Sequence, residues 1–247
     1  MIENSYIAPP DERYDCEKHS LLDSCLRVFG DTIPVTLLKE HYRCHPRIIQ
    51  FCNQQFYDSL LIPMTRDRGE KALRLIVTAK GNHARRYKNQ RELDSLLHVL
   101  EGGESNQWDE ATKRGFIAPY NAQVNLSHSH LPASFVKDTT HKFQGRECDE
   151  IVFSTVLDKK ASSRRNLSFV DEPHLINVAV SRAKKQFTLV TGEDVFDVSN
   201  GPVAALIRYV EYYANETEQV HRSPVVSAFD LLYSEYDQSL EKLRSRL

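Results

Sequence analysis

The chain has 247 residues, 40% hydrophobic and 27% charged, which supplies a packed core and excludes a disordered composition. Its 32 Lys and Arg face 34 Asp and Glu, a formal charge of −2, so nucleic-acid affinity would have to come from a local basic stripe. No run reaches the ~18 to 20 apolar residues of a membrane span, and Met1 to Pro10 lacks the features of a signal peptide.

Five cysteines without tight spacing suit a reducing compartment, and a cytoplasmic location (nuclear in a eukaryote) is expected. The grouping of His41, Cys44, His45 and Cys52 matches no familiar zinc spacing, so these are read as thiols and imidazoles without a metal.

In chain order, a helix is expected from about Lys18, with Leu21, Leu22, Cys25, Leu26 and Phe29 on one face. Pro34 to Leu38 is a short strand candidate, and Pro46 opens a helix that turns Ile48, Ile49, Cys52 and Phe56 inward. Leu73 to Ala79 reads as a strand, followed by a basic loop from Lys80 to Gln90 inside a basic stretch running from Lys39 to Arg91. Leu93, Leu96, Leu97 and Leu100 mark a helix that stops at Gly102-Gly103. Gly115 to Ala118 is a strand leading through Pro119 into a helix, and Ser134 to Lys137 and Ile151 to Leu157 are further strands.

Past the polar loop Asp158 to Asn166, a helix is expected from Pro173 through Lys185, with Leu175, Val178, Ala179 and Ala183 buried and Arg182 beside that face. Phe187 to Thr191 would be the last strand, with helices around Val203 to Tyr213 and from Ser227 to the end. Strand–helix alternation implies an α/β fold, a doubly wound parallel sheet with helices on both faces. In such sheets ligands sit beyond the carboxyl ends of the strands, so the chemistry is sought in loops that follow strands.

Three segments carry residues suited to anions. Tyr42-Arg43 lies between a strand candidate and a helix start, where a guanidinium adds bidentate phosphate recognition to a helix N-terminus; a surface arginine with a core tyrosine is the plainer alternative. Gln144-Gly145-Arg146-Glu147 offers an amide, a guanidinium, a carboxylate and a glycine for close backbone approach, or is an ordinary turn. Arg182 needs an anionic partner or a rim position, or it snorkels.

Taken together and in order, these segments resemble motifs IV, V/Va and VI of superfamily 1B helicases, the branch that includes the nonsense-mediated decay helicase and senataxin. The matching residues are Tyr42-Arg43 with His45-Pro46, Pro119-Tyr120 with Gln123, Phe143 to Glu147 with Asp149, and Asn177 to Lys184. Two positions depart from the pattern: His41 replaces a glutamine, and Ala118 stands where many relatives have a hydroxyl.

The resemblance implies a RecA-like domain over residues 34–192, with a helical lead-in over 1–33 and a helical C-terminal extension over 193–247. It further implies that Arg43 and Arg182 contact the ATP phosphates, with Arg182 as a finger. Tyr42 would lie near the adenine, and Gln144, Gly145 and Glu147 at the ribose and phosphate edge. Pro119, Tyr120, Thr139 and His141 would track single-stranded DNA or RNA.

None of the nine glycines is followed by lysine, so the chain has no G-x-x-x-x-G-K-[ST] phosphate cradle. ATP and Mg²⁺ would be bound mainly by an upstream RecA-like domain, making this chain a fragment that is inactive alone. Asp171-Glu172, after Leu167 to Val170, is a weak decoy of a magnesium-holding strand end. Two rivals are a non-catalytic nucleic-acid-binding module of the same fold and a nuclease, which would need converging carboxylates.

Overall fold

The computed structural model describes residues 8–81, 83–102, 111–158, 164–197, 199–213 and 220–226. The expected helix from Ser227 lies outside them. The chain divides into two units, 1–39 and 40–247. In the first, α1 (Leu21–Phe29) is closed by a reciprocal capping box between Ser20 and Asp23 and stopped at Gly30. Its apolar stripe is as expected, and Leu21, Leu22 and Phe29 are exposed.

The second unit runs β1 (Glu40–His41), α2 (Pro46–Phe56), β2 (Ile62–Pro63), β3 (Leu73–Thr78), α3 (Gln90–Glu101), β4 (Arg114–Ala118), α4 (Asn121–His130), β5 (Val136–Thr139), β6 (Cys148–Ser154), α5 (Arg164–Val170), α6 (Pro173–Ser181), β7 (Ala183–Gly192), α7 (Pro202–Tyr213) and β8 (Val220–Arg222). Six strands form one sheet in the order β5-β4-β6-β7-β3-β8, and every pairing is parallel. β1 and β2 make a separate two-stranded parallel sheet.

Alternation along the strands divides the core between two faces. Leu75, Ile117, Ile151, Phe153, Phe187 and Leu189 pack with residues of α2, α6 and α7. Ile76, Phe116, Val152 and Val190 pack with Leu93 and Leu96 of α3 and Val124 of α4. Helices therefore cover both faces, as the doubly wound reading requires. Among the described residues no helix is long and apolar enough to cross a membrane.

Three expectations change. Pro34 to Leu38 is not a strand: residues 34–39 have no regular structure, and Val35, Leu37 and Leu38 are exposed, because a short apolar run becomes a strand only where a sheet edge pairs with it. Leu167 to Val170 is helical, in α5, so Asp171-Glu172 does not end a strand, in keeping with its reading as a decoy. The helix from Pro173 ends at Ser181, four residues early, because Ala183 onward pairs with β6; Ile176 and Val180, not Val178, join Leu175 and Ala179 in the core. Phe187 to Thr191 is not the last strand, since β8 adds to β3 beyond α7.

Candidate functional site

Because every strand of the main sheet points the same way, it has one amino edge and one carboxyl edge. Three of the expected residues meet at the amino edge. Arg182 caps the end of α6 immediately before β7, and its carbonyl accepts from Cys148 N at 3.1 Å. This places Glu147, the residue before β6, beside it. His45 N donates to Lys184 O at 2.7 Å, which docks the start of α2, and Arg43 with it, on the same edge.

Arg43 Nε lies 2.7 Å from Glu147 Oε2, and Lys184 Nζ lies 2.5 Å from Glu147 Oε1. Lys184, Arg43 and Lys113 hold the Glu147 carboxyl below its usual range, hydrogen bonding with Lys184 being the largest cause. Arg182 is partly desolvated and lies close enough to Arg43 to be repelled by it; both effects lower its pKa. Its Nε is buried with no hydrogen-bond partner among the described residues. Two guanidiniums, a lysine and one shared carboxylate leave an excess of positive charge, and an incompletely satisfied arginine, at one spot.

This cluster precedes β6 and β7, at the opposite edge from the strand-following loops in which the chemistry is expected. Tyr42 is 66% exposed, and its hydroxyl donates to Glu40. Gln144 and Gly145 are exposed in the turn before Glu147, and Gly145 has a φ of 80°, which favours glycine.

The other expected residues lie at the carboxyl edge. Pro119 is buried directly after β4, Tyr120 is the N-cap residue of α4, and Thr139 ends β5 in register with Ala118. Thr139 is 6% exposed, and His141 is exposed two residues on. Tyr120 stacks on Tyr87 at a ring separation of 4.7 Å and touches Phe169 at 5.2 Å. Burial pushes its hydroxyl up to about 12.

Beneath this surface lies a buried polar network that the sequence did not reveal. Glu92, in the first turn of α3, accepts from Thr155 Oγ1 and Val156 N, each at 3.0 Å, and from Ser154 Oγ. Gln123 accepts from Asn89 N at 2.8 Å and donates to Asn89 O at 3.0 Å and Ser154 Oγ at 3.1 Å. The Gln of the helicase-like Pro-Tyr motif is thus an internal brace between α3, α4 and β6. Burial pushes the Glu92 carboxyl up to about 8.

The two edges are joined by residues 140–147, which leave the carboxyl end of β5 and reach the amino end of β6 without a helix. Phe143, mid-way, is fully buried. A Cβ on Gly115 would lie 2.8 Å from Phe143 Cζ and 2.6 Å from Ile151 Cδ1, so the ring of the crossing packs into space that the glycine leaves open.

The decoy acids have structural partners. Asp171 accepts from Ser199 Oγ at 2.5 Å and Val203 N at 2.7 Å, and Glu172 caps α6 through Leu175 N at 2.7 Å. His45, Asp67 and Glu70 are close enough to hold a metal ion, each carboxylate lying 3.4 Å from His45 Nε2. However, His45 Nδ1 accepts from Arg47 N, which leaves the ring proton on Nε2, where it faces the carboxylates and opposes metal ligation.

Residues 18–194 match the family AAA_12, described as an AAA domain. The chain is 24% identical over 204 residues to the DNA polymerase alpha-associated DNA helicase A of Schizosaccharomyces pombe, covering 69% of this chain and 30% of that protein. It is 38% identical over 103 residues to the DNA replication ATP-dependent helicase/nuclease JHS1 of Arabidopsis thaliana, covering 41% of this chain and 8% of that protein. It is 26% identical over 185 residues to the probable RNA helicase armi of Drosophila melanogaster, covering 61% of this chain and 15% of that protein. The chain thus matches under a third of the length of each of these relatives.

Proposed function

The chain belongs to the AAA_12 family, the C-terminal RecA-like part of superfamily 1 helicases, and from that premise we propose that it is the second motor half of an ATP-dependent nucleic-acid helicase. The observation that carries this reading is the amino-edge cluster: Arg182, with its unpartnered buried Nε, lies within electrostatic reach of Arg43. Two neighbouring guanidiniums repel one another unless an anion lies between them, and a planar fork suits phosphate oxygens.

In this reading an upstream RecA-like domain of the same protein holds ATP and Mg²⁺ through its own phosphate cradle. Arg182 and Arg43 reach the β- and γ-phosphates from the opposite side and stabilise charge that spreads during phosphoryl transfer. Glu147 parks Arg43 when no nucleotide is present, and Lys184 keeps Glu147 ionised. Tyr42 borders the adenine, and Gln144, Gly145 and Glu147 border the ribose and phosphates. At the carboxyl edge, Pro119, Tyr120, Thr139 and His141 follow a single strand, and residues 140–147 link the two edges.

The test is steady-state ATPase of the full-length enzyme carrying Arg182→Ala. An arginine finger contributes about 10³- to 10⁵-fold in turnover, roughly 4 to 7 kcal/mol. Turnover is expected to fall by that order while nucleotide affinity changes far less. A folded variant with unchanged ATPase and unwinding would defeat the assignment. The 247-residue chain alone is expected to hydrolyse no ATP.

A further inference from the structure

The loop after β3 contains an unusual turn. Arg85 N donates to Lys88 O at 2.7 Å and Lys88 N to Arg85 O at 3.0 Å, closing a two-residue hairpin whose tip is Arg86-Tyr87. Both tip residues have positive φ, 49° and 63°. This is the type I′ geometry, which normally takes Asn-Gly, and neither arginine nor tyrosine adopts it without strain. Strain of this kind persists where the surroundings over-determine it, and it gathers at ligand-contacting sites.

What the turn achieves is the placement of one ring. Tyr87 stacks on Tyr120 at 4.7 Å with the planes 30° apart, and Tyr120 also touches Phe169 of α5 at 5.2 Å and 33°. Tyr120 is the middle ring of three drawn from separate parts of the chain. The outer rings are open to solvent, Tyr87 being 55% exposed and Phe169 41%.

We propose that Tyr87, Tyr120 and Phe169 form a stacking platform for unpaired bases of single-stranded nucleic acid, with Arg86 and Lys88 of the hairpin taking the adjacent phosphates. The assignment of Tyr87, Phe169, Arg86 and Lys88 rests on the reading of the carboxyl edge as a single-strand track and extends it by two rings and a hairpin. Three features argue for this occupant over an apolar protein segment. The exposed rings lie face to face with Tyr120 at inclinations of 30° and 33°, an arrangement to which a base can add by stacking. Arg85, Arg86 and Lys88 are exposed around the ring, giving a positive rim suited to a phosphate backbone. The middle ring, Tyr120, directly follows β4 and is the N-cap residue of α4, so the platform sits at the carboxyl edge itself.

The experiment is fluorescence anisotropy of the 247-residue chain with a fluorescein-labelled 20-nucleotide oligothymidine and its abasic counterpart, each at two salt concentrations. Tyr87→Ala and Phe169→Ala are each expected to weaken binding of the oligothymidine about 5- to 100-fold, while abasic binding and salt dependence stay unchanged. Tyr87→Trp should retain wild-type affinity. Arg86→Ala should weaken both probes equally and flatten the salt dependence. Thermal melting of each variant separates loss of binding from loss of folding. If the wild type binds oligothymidine and the alanine variants bind it equally well, the platform is overturned and the track reading stands. If the wild type binds neither probe, the track reading falls and the platform with it. Equal binding of both probes by the wild type overturns base stacking alone.

Discussion

At the amino edge of the sheet Arg43, Glu147, Arg182 and Lys184 gather with an excess of positive charge. At the carboxyl edge the surface carries exposed rings, and two carboxyl groups, Glu92 and Asp158, are buried; among the described residues Glu92 accepts from two hydroxyls and a backbone amide and from no cation. The consequence is visible in two glutamates. Glu147 is partly exposed and beside cations, which stabilise its ionised form; Glu92 is fully buried, and desolvation stabilises its neutral form. In the proposed reading one edge exchanges a charged partner, while the other holds strand ends and helix starts under a stacking surface.

The largest expected effect tests whether the amino edge acts as a unit. In the full-length enzyme the Arg43→Ala, Arg182→Ala double variant should lose little more turnover than Arg182→Ala alone, about 10³- to 10⁵-fold, if both arginines serve one phosphoryl group. Additive losses, measured as ATPase rates in a double-mutant cycle, would separate their roles.

Next in size is the link between the edges. Phe143→Ala removes a fully buried ring beneath the crossing and should cost about 3 to 5 kcal/mol by urea unfolding. A cost below about 1 kcal/mol would mean that the crossing is not anchored by its aromatic ring.

The paired glutamates give the third and fourth. Glu92 keeps its proton in the folded chain up to about pH 8 and releases it near 4.5 when unfolded, so stability falls as pH rises from 4.5 to 8. Glu92→Gln should flatten that slope and stabilise by up to about 3 kcal/mol at pH 7, less whatever its amide loses in hydrogen bonding. A stability–pH curve unchanged by the substitution would contradict the buried neutral carboxyl. Glu147 has the opposite sign: its contribution is present above its unfolded value and lost as pH falls through the lowered folded one. Because the pair is more than a third exposed, Glu147→Gln should cost well under about 1 kcal/mol. A larger loss in thermal melts would show the amino edge to be structural.

Much of the fold was legible because its signals are local. Helical periodicity marked α1, α2, α3 and α7, Pro46 and Gly102 marked boundaries, and short apolar runs marked β3, β4 and β6. The order of the short motifs from Tyr42-Arg43 to Arg182 identified the family without any contact being known. Less legible were the places where two distant pieces had to meet. Nothing in Arg86-Tyr87 signals a type I′ turn, since the usual cue is glycine or asparagine. Glu92 lies in a helical stretch that reads as amphipathic, and its burial depends on Thr155 and Val156 more than sixty residues away.

The sequence by itself determined most of the element types and the parallel α/β class, because side-chain periodicity and backbone propensity act over a few residues, and its motif order led to the family. Only the tertiary structure decided which edge each residue occupies. Cys148 pairing with Ala183, His45 docking on Lys184 and Phe143 passing over Gly115 are long-range choices. They are set by how the sheet buries its two faces, and they place the arginines at the amino edge and the rings at the carboxyl edge.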